Sequence, residues 1–209
     1  MRFHAKLLLA GLTAALVLAT AIGTASANRL SLSERQFQII WSTPLSSGGG
    51  GDTTAECAIT LTGSFHASTF QKVVGALLGF VNTAAVGRAE TCTRGAMTVL
   101  RETLPWHLTY DSFTGRLPAI TGVTVQTIGA SFQIEEGFGI RCLFRTTTTN
   151  PNRFTANLDG SGTVTFLRAG ETETIPMTGG ILCPTTGRFT GEGGSIRTPG
   201  GRSFVITLI

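Results

Sequence analysis

His66 and His107 are the residues of this chain best suited to general acid–base chemistry once a leader of 27 residues is set aside. His107 shares a strand parity with Asp111, as a base and its orienting carboxylate would, but four residues of strand separate them by about 13 Å, beyond direct contact. Glu135 and Glu136 come nearest to a carboxylate pair. Adjacent strand residues point to opposite sides and the two precede Gly137 in a turn-like stretch, so they read as solvated rather than as an acid and base flanking a bond. The sequence has no Gly-x-Ser-x-Gly elbow, His-Glu-x-x-His helix, phosphate loop or calcium loop of alternating acids. No catalytic residue is assigned, and neither a metal nor a cofactor is expected.

Cys57, Cys92, Cys142 and Cys183 lack the short paired spacing and neighbouring histidines of a zinc site. Four cysteines behind an export leader read instead as two disulfides, with three pairings to choose from. A strand from Cys57 to Phe65 rises about 27–30 Å, and a helix over 69–86 would return about 25–27 Å, which brings Cys92 back to Cys57 and leaves Cys142 for Cys183. Each bridge would close a loop of about 40 residues, contributing about 3–4 kcal/mol in the chain-entropy account.

The candidates for ligand binding are Trp106, His107, Tyr110 and Asp111, because aromatic side chains on a rigid strand make good contact anchors. Their parity argues against the aromatics being exposed. Trp106, Leu108 and Tyr110 fall on one face and His107, Thr109 and Asp111 on the other, which predicts aromatics in the core and the polar trio in water.

These residues belong to the most strongly patterned stretch, Leu100 to Phe144, which reads as three strands: one through Trp106, a second through Ile128, Ala130, Phe132 and Ile134, and a third through Ile140, Cys142 and Phe144. Upstream, Phe37, Ile39 and Trp41 mark one strand and Cys57 to Phe65 another, joined by a Ser46–Asp52 loop. The period then changes: Phe70, Val73, Val74, Leu77, Leu78, Val81, Ala84 and Ala85 follow helical spacing, with Ser68 and Gln71 as a capping box and Gly87 as a stop. Gly75 and Gly79 sit on the polar side of that helix at a cost of about 1 kcal/mol each, which suggests close packing there. A helix joining two strands would form a β-α-β crossover. Downstream, Thr146–Arg153 reads as a loop. Val164–Arg168 with Glu173–Met177, and Phe189–Arg197 with Arg202–Ile209, read as hairpins.

The leader combines Arg2 and Lys6, an uncharged apolar run from Leu7 to Ile22, and Ala25-Ser26-Ala27 as a cleavage site. It is shorter than the roughly 20 residues of a membrane span, so no transmembrane segment is expected after cleavage. The mature chain would be 28–209, a single disulfide-stapled β domain with 14 basic and 12 acidic residues. Its arginines are scattered singly and Lys72 is its one lysine, which argues against a nucleic-acid surface. Leu117-Pro118-Ala119-Ile120-Thr121-Gly122 has some features of a cell-wall sorting signal but lies mid-chain without the hydrophobic tail, and reads as a turn.

The segments Gly63–Val81, Thr98–Val123, Gly129–Ile134 and the final Ile206-Thr207-Leu208-Ile209 resemble a set of exported hypothetical proteins from high-GC Gram-positive bacteria. The resemblance covers most of the mature chain and implies no activity, cofactor, partner or functional residue.

The expected fold is mainly β, an antiparallel β-sandwich or partly closed β-barrel with one amphipathic helix at about 69–86; the 31 threonines of the mature chain suit half-exposed strands. The expected role is a secreted or cell-envelope domain, non-catalytic, that binds an extracellular or envelope partner or serves structurally. Two alternatives stand beside it: a carrier of a small apolar ligand inside a β-barrel, and a hydrolase with an unrecognised site.

Overall fold

The structure is a computed structural model and describes residues 29–48, 54–87, 92–117, 119–136, 139–170 and 174–209. The expected leader and cleavage site, within residues 1–28, lie outside the described residues. Sixteen strands are described: β1 (Arg29–Leu32), β2 (Gln36–Gly48), β3 (Thr54–Phe65), β4 (Thr69–Gln71), β5 (Leu77–Val86), β6 (Cys92–Arg94), β7 (Ala96–Val99), β8 (Trp106–Arg116), β9 (Ala119–Ile128), β10 (Ser131–Glu136), β11 (Ile140–Arg145), β12 (Asn152–Leu158), β13 (Val164–Ala169), β14 (Ile175–Gly179), β15 (Thr186–Arg197) and β16 (Ile206–Leu208). One 3-10 turn, Arg101–Thr103, precedes β8.

The expected mainly-β antiparallel fold takes the form of a closed barrel. Eight strands pair in the order β13-β12-β9-β8-β5-β3-β2-β15, and β13 pairs with β15 through Leu167↔Gly194 and Ala169↔Gly191 to complete the ring. At eight strands a barrel is just wide enough for its own side chains to fill. Here Phe37, Leu61, Leu108, Phe154, Leu167 and Phe204 point inward and leave an apolar cavity of about 60 Å³. One end is covered by a three-stranded sheet, β16-β1-β4, whose Phe70 packs on Phe65 with ring centroids 5.8 Å apart; Phe204, in the segment just before β16, meets Phe65 at 5.9 Å.

At the other end β2, β3 and β15 run past the barrel, and β15 hands the ladder on to β14, β11, β10 and β7. This extension has its own aromatic core. Trp106, at the start of β8, packs edge-on against Phe132 at 5.2 Å, and Phe132 stacks on Phe189 at 5.3 Å. Cys57–Cys92 ties β3 to β6 and Cys142–Cys183 ties β11 to the β14–β15 connection, the pairing the sequence predicts.

The helix at 69–86 is not formed, and neither is the β-α-β crossover: β4, a turn and β5 occupy the segment, and β5 pairs antiparallel to β3. Two bulges account for the misleading period. Asn82 is an extra residue opposite β3 and Leu78 an extra residue opposite β8. Each insertion shifts the strand's parity, so the buried side chains Leu78, Val81 and Ala84 fall three apart, as they would on a helix. The glycines mark the difference: Gly75 adopts φ +80, and a Cβ on Gly79 would lie 2.2 Å from the Ser64 carbonyl oxygen. The geometric argument for Cys57–Cys92 survives because a strand returns the chain as a helix would have done.

Other boundaries also move. β9 lies between the first two strands expected in the central block, and β12 begins at Asn152 inside the expected 146–153 loop. Ser46–Gly48 are paired strand rather than loop, hydrogen-bonded between Thr54–Glu56 and Arg188–Thr190, while 49–53 lie outside the described residues. β13 joins β12 and β15, whereas β14 joins β11 and β15, so these two strands are not a hairpin; Glu173 lies outside the described residues. β15 turns back through Thr198–Arg202 for a single bridge, Arg197↔Ser203, before the chain leaves to pair with β1.

Candidate functional site

An open concave surface lies at the covered end of the barrel, where an exposed groove of about 1020 Å³ runs between two walls. One wall is the β4–β5 connection. Gly75 donates its N–H to the Tyr110 carbonyl at 2.8 Å and Tyr110 returns a bond to the Ala76 carbonyl at 2.9 Å, which pins the connection to β8. Ala76 also donates to the Val73 carbonyl, closing a tight turn that points Val73 and Val74 away from the core; they are 53% and 70% exposed. Two consecutive valines in water at a turn serve neither helix nor core.

The second wall is the distal half of β8, Tyr110 to Phe113, with Leu117 at the hairpin tip. Arg29 and Ile209, on β1 and beyond β16, complete the lining; each donates its backbone N–H to the other's carbonyl. The Lys72 ammonium reaches across the groove to sit 4.7 Å from the centroid of the Phe113 ring, a cation–π contact joining the two walls.

Asp111 is held on its own side. Its Oδ1 accepts from Gln126 Nε2 at 2.6 Å and from Arg153 Nε at 3.4 Å, and its Oδ2 accepts from the Ser112 hydroxyl at 3.0 Å. Tyr110 is buried beneath it, and burial, followed by the charge of Asp111, raises the phenol pKa above its ordinary value. The groove thus presents an apolar surface with two cations, a carboxylate already bound by a guanidinium, and a neutral phenol.

The four ligand-binding candidates separate. Tyr110 and Asp111 meet at the groove. Trp106 is buried in the core of the extension, where its Nε1 donates to Thr103 Oγ1 at 2.9 Å. His107 is exposed on the outer face of the barrel, edge-on to Phe80 at 5.4 Å, and His66 is exposed beside Phe70 at 5.3 Å. Neither histidine lines the groove. Thr109 departs from the solvent-facing expectation for its parity: it is buried and its hydroxyl donates to Gln126 Oε1. Glu135 is paired with Arg141 on the exposed face of the extension, and the Glu136 side chain lies outside the described residues.

Sequence reasoning missed Lys72, Val73, Val74, Phe113 and Leu117. Their signal was available in part, since Lys72, one of two lysines in the sequence, is followed directly by two valines and a glycine. Among the described residues, no group of three histidine, cysteine or acidic side chains could hold a metal, and no helix is long and apolar enough to cross a membrane. Comparison with protein-family models, with curated proteins and with solved structures returns no match to this chain.

Proposed function

We propose that the chain is an exported, non-catalytic binding domain whose binding surface is the groove between the β4–β5 connection and the distal half of β8. The observation that carries this reading is the contrast between a nearly filled barrel and an open groove with Val73 and Val74 in water. Small-molecule sites occupy about 300–1000 Å³. The barrel cavity, at about 60 Å³, falls well below that range, while the groove reaches it. That comparison favours the binding domain over the interior carrier, and the wide placement of His66 and His107 away from the groove lends no support to the hydrolase.

Export rests on the leader sequence and on two disulfides, which persist in oxidising compartments. N-terminal sequencing of protein recovered from the medium or envelope of the producing cell should begin at Asn28. The binding reading is tested by amide hydrogen exchange of the mature protein with a panel of soluble amphiphiles. Protection should gather at Val73–Ala76 and Asp111–Leu117. Protection confined to the barrel-lining strands around Leu108, Val123 and Phe154 would transfer the assignment to the carrier, and ester hydrolysis abolished by His66→Ala or His107→Ala would transfer it to the hydrolase.

A further inference from the structure

We infer that the outer face of the barrel carries a second site, a cleft of about 390 Å³ beside the 198–202 turn, that takes a neutral oligosaccharide. The side chains that form it follow from period two. Phe37, Leu61 and Phe65 are buried, so Gln36, Gln38, Thr62 and Ser64, their neighbours on β2 and β3, turn outward. Asn82, the extra residue of the β5 bulge, joins them from the next strand and donates its Nδ2 to Ser64 Oγ at 3.2 Å. The cleft and the groove at the barrel end share no lining residue.

The class of ligand follows from the chemistry of these groups. All five polar side chains are amides or hydroxyls, and none of the residues lining the cleft is charged, so neither an anion nor a cation is favoured. Amides and hydroxyls both donate and accept, which is what the hydroxyls of a sugar require of their partners. The charges around the rim are engaged elsewhere: Arg202 pairs with Glu34, Arg35 donates to the Phe65 carbonyl at 3.2 Å, and Arg197 donates to the Gly201 carbonyl at 3.3 Å. The bond between Asn82 and Ser64 orients both. It keeps the Asn82 Oδ1 as an acceptor, and the second amide hydrogen and the Ser64 hydroxyl as donors.

The register gives the length of the ligand. Gln36, Ser64, Phe80 and His107 form one row across β2, β3, β5 and β8, three interstrand spacings or about 14 Å, which exceeds a single sugar ring. At the β2 end Pro199 stands at the lip, on a turn closed by the Thr198 N–H to the Arg202 carbonyl at 3.0 Å and the Gly201 N–H to the Thr198 carbonyl at 2.8 Å. At the other end the half-buried Phe80 ring, edge-on to His107 at 5.4 Å, offers an apolar surface to the C–H face of a pyranose. All four strands are laddered in the barrel wall, so these groups are in place before a ligand arrives.

The test uses the mature protein with both disulfides intact, titrated with cellohexaose, maltohexaose, laminarihexaose and chitohexaose, and with glucose and the anionic hexagalacturonate for comparison. Two-dimensional amide NMR follows the glutamine and asparagine side chains directly. At least one neutral oligosaccharide should bind, more tightly than glucose, and shift the side-chain amide signals of Gln36, Gln38 and Asn82. Gln38→Ala and Asn82→Ala should each weaken binding about three- to tenfold, as the loss of one neutral hydrogen bond would, whereas Val74→Asp in the groove should leave it within about twofold. Because Asn82 occupies a bulge, Gln36→Ala, on a regular stretch of β2, separates loss of contact from loss of fold, and unchanged near-ultraviolet circular dichroism verifies folding.

No binding by any of the neutral oligosaccharides would overturn the site, and so would shifts gathered at Val73–Ala76, which would place the sugar in the groove. Tighter binding of hexagalacturonate would overturn the neutral ligand. Affinity for glucose equal to that for the hexamers would overturn the extended row.

Discussion

Truncating Trp106 to alanine tests whether the strand that begins at Trp106 is anchored in the extension's core. The indole is 1% exposed, packs edge-on against Phe132 at 5.2 Å and donates its N–H to Thr103 Oγ1. Removing a buried tryptophan costs about 3–5 kcal/mol, combining lost transfer energy with the cavity left behind. The upper half of that range is expected here. A small cavity of about 10 Å³ already adjoins the ring, lined also by Phe132, Phe144 and Phe189, and the hydrogen-bonded barrel wall on the other side cannot collapse to fill the enlarged space. For a chain of this size each kcal/mol moves the melting temperature about 2–4 °C, so Trp106→Ala should lower it by about 8–20 °C. Trp106→Phe retains the aromatic contact and should cost less. Thermal unfolding with the disulfides intact measures the loss, and tryptophan emission in a Trp41→Phe background measures burial. A red-shifted, readily quenched Trp106 whose removal leaves the melting temperature in place would refute the core assignment.

Gly194→Ala should destabilise by about 1–3 kcal/mol in chemical denaturation, because a Cβ there would lie 2.5 Å from the Trp41 indole, and an unchanged midpoint would contradict the packing. Val123→Ile, pointing into the 60 Å³ barrel cavity, should hold or raise stability by about 0.5–1 kcal/mol, whereas a large loss would mean that the interior is already full. Tyr110 is the only tyrosine, so its phenolate absorbance reports one group, and the midpoint should lie above 10. The sign is fixed: a folded-state pKa raised above the unfolded value gives stability that is fully present below the unfolded value and is lost as pH climbs through the folded one. Asp111→Asn should lower that midpoint without returning it to the ordinary value, because burial is the larger cause; a midpoint at or below 10 in the parent protein would contradict the burial of Tyr110.

The strands with plain alternation were legible from the sequence: β2 through Phe37, Ile39 and Trp41, β3 from Cys57, and the burial of Trp106, Leu108 and Tyr110 all follow from period two. β9 and β12 were not, because barrel closure buries residues that polarity assigns to water. Thr127 and Asn152 are both buried, directly opposite each other in the ladder, so a threonine at an inward position breaks the apolar pattern that marks a strand. β5 fails in the opposite way, its bulges producing a period that imitates a helix. Bulges follow from tertiary pairing with two different neighbours, and no window within the segment records them. The groove shared this fate. Val73 and Val74 counted as an apolar helix face until the turn at Gly75 placed them in water.

β8 joins the groove to what holds the fold together. Its first residue, Trp106, is locked among Phe132 and its neighbours in the extension, its middle lines the barrel through Leu108, and Tyr110 is fastened by two backbone bonds to the β4–β5 connection. Beyond Thr109 the ladder to β5 ends, so residues 112–116 are paired on the β9 side alone and reach past the barrel as one wall of the groove. The opposite wall hangs on the same strand through Gly75 and Ala76. Both walls are therefore referenced to β8, and a rigid reference lowers the entropic cost of holding the groove open, as the proposed binding role requires. The same connection explains why the apolar side chains stay apart in water: closing the groove would require breaking the Gly75–Tyr110 and Tyr110–Ala76 bonds or bending a strand whose other end is fixed in an aromatic core.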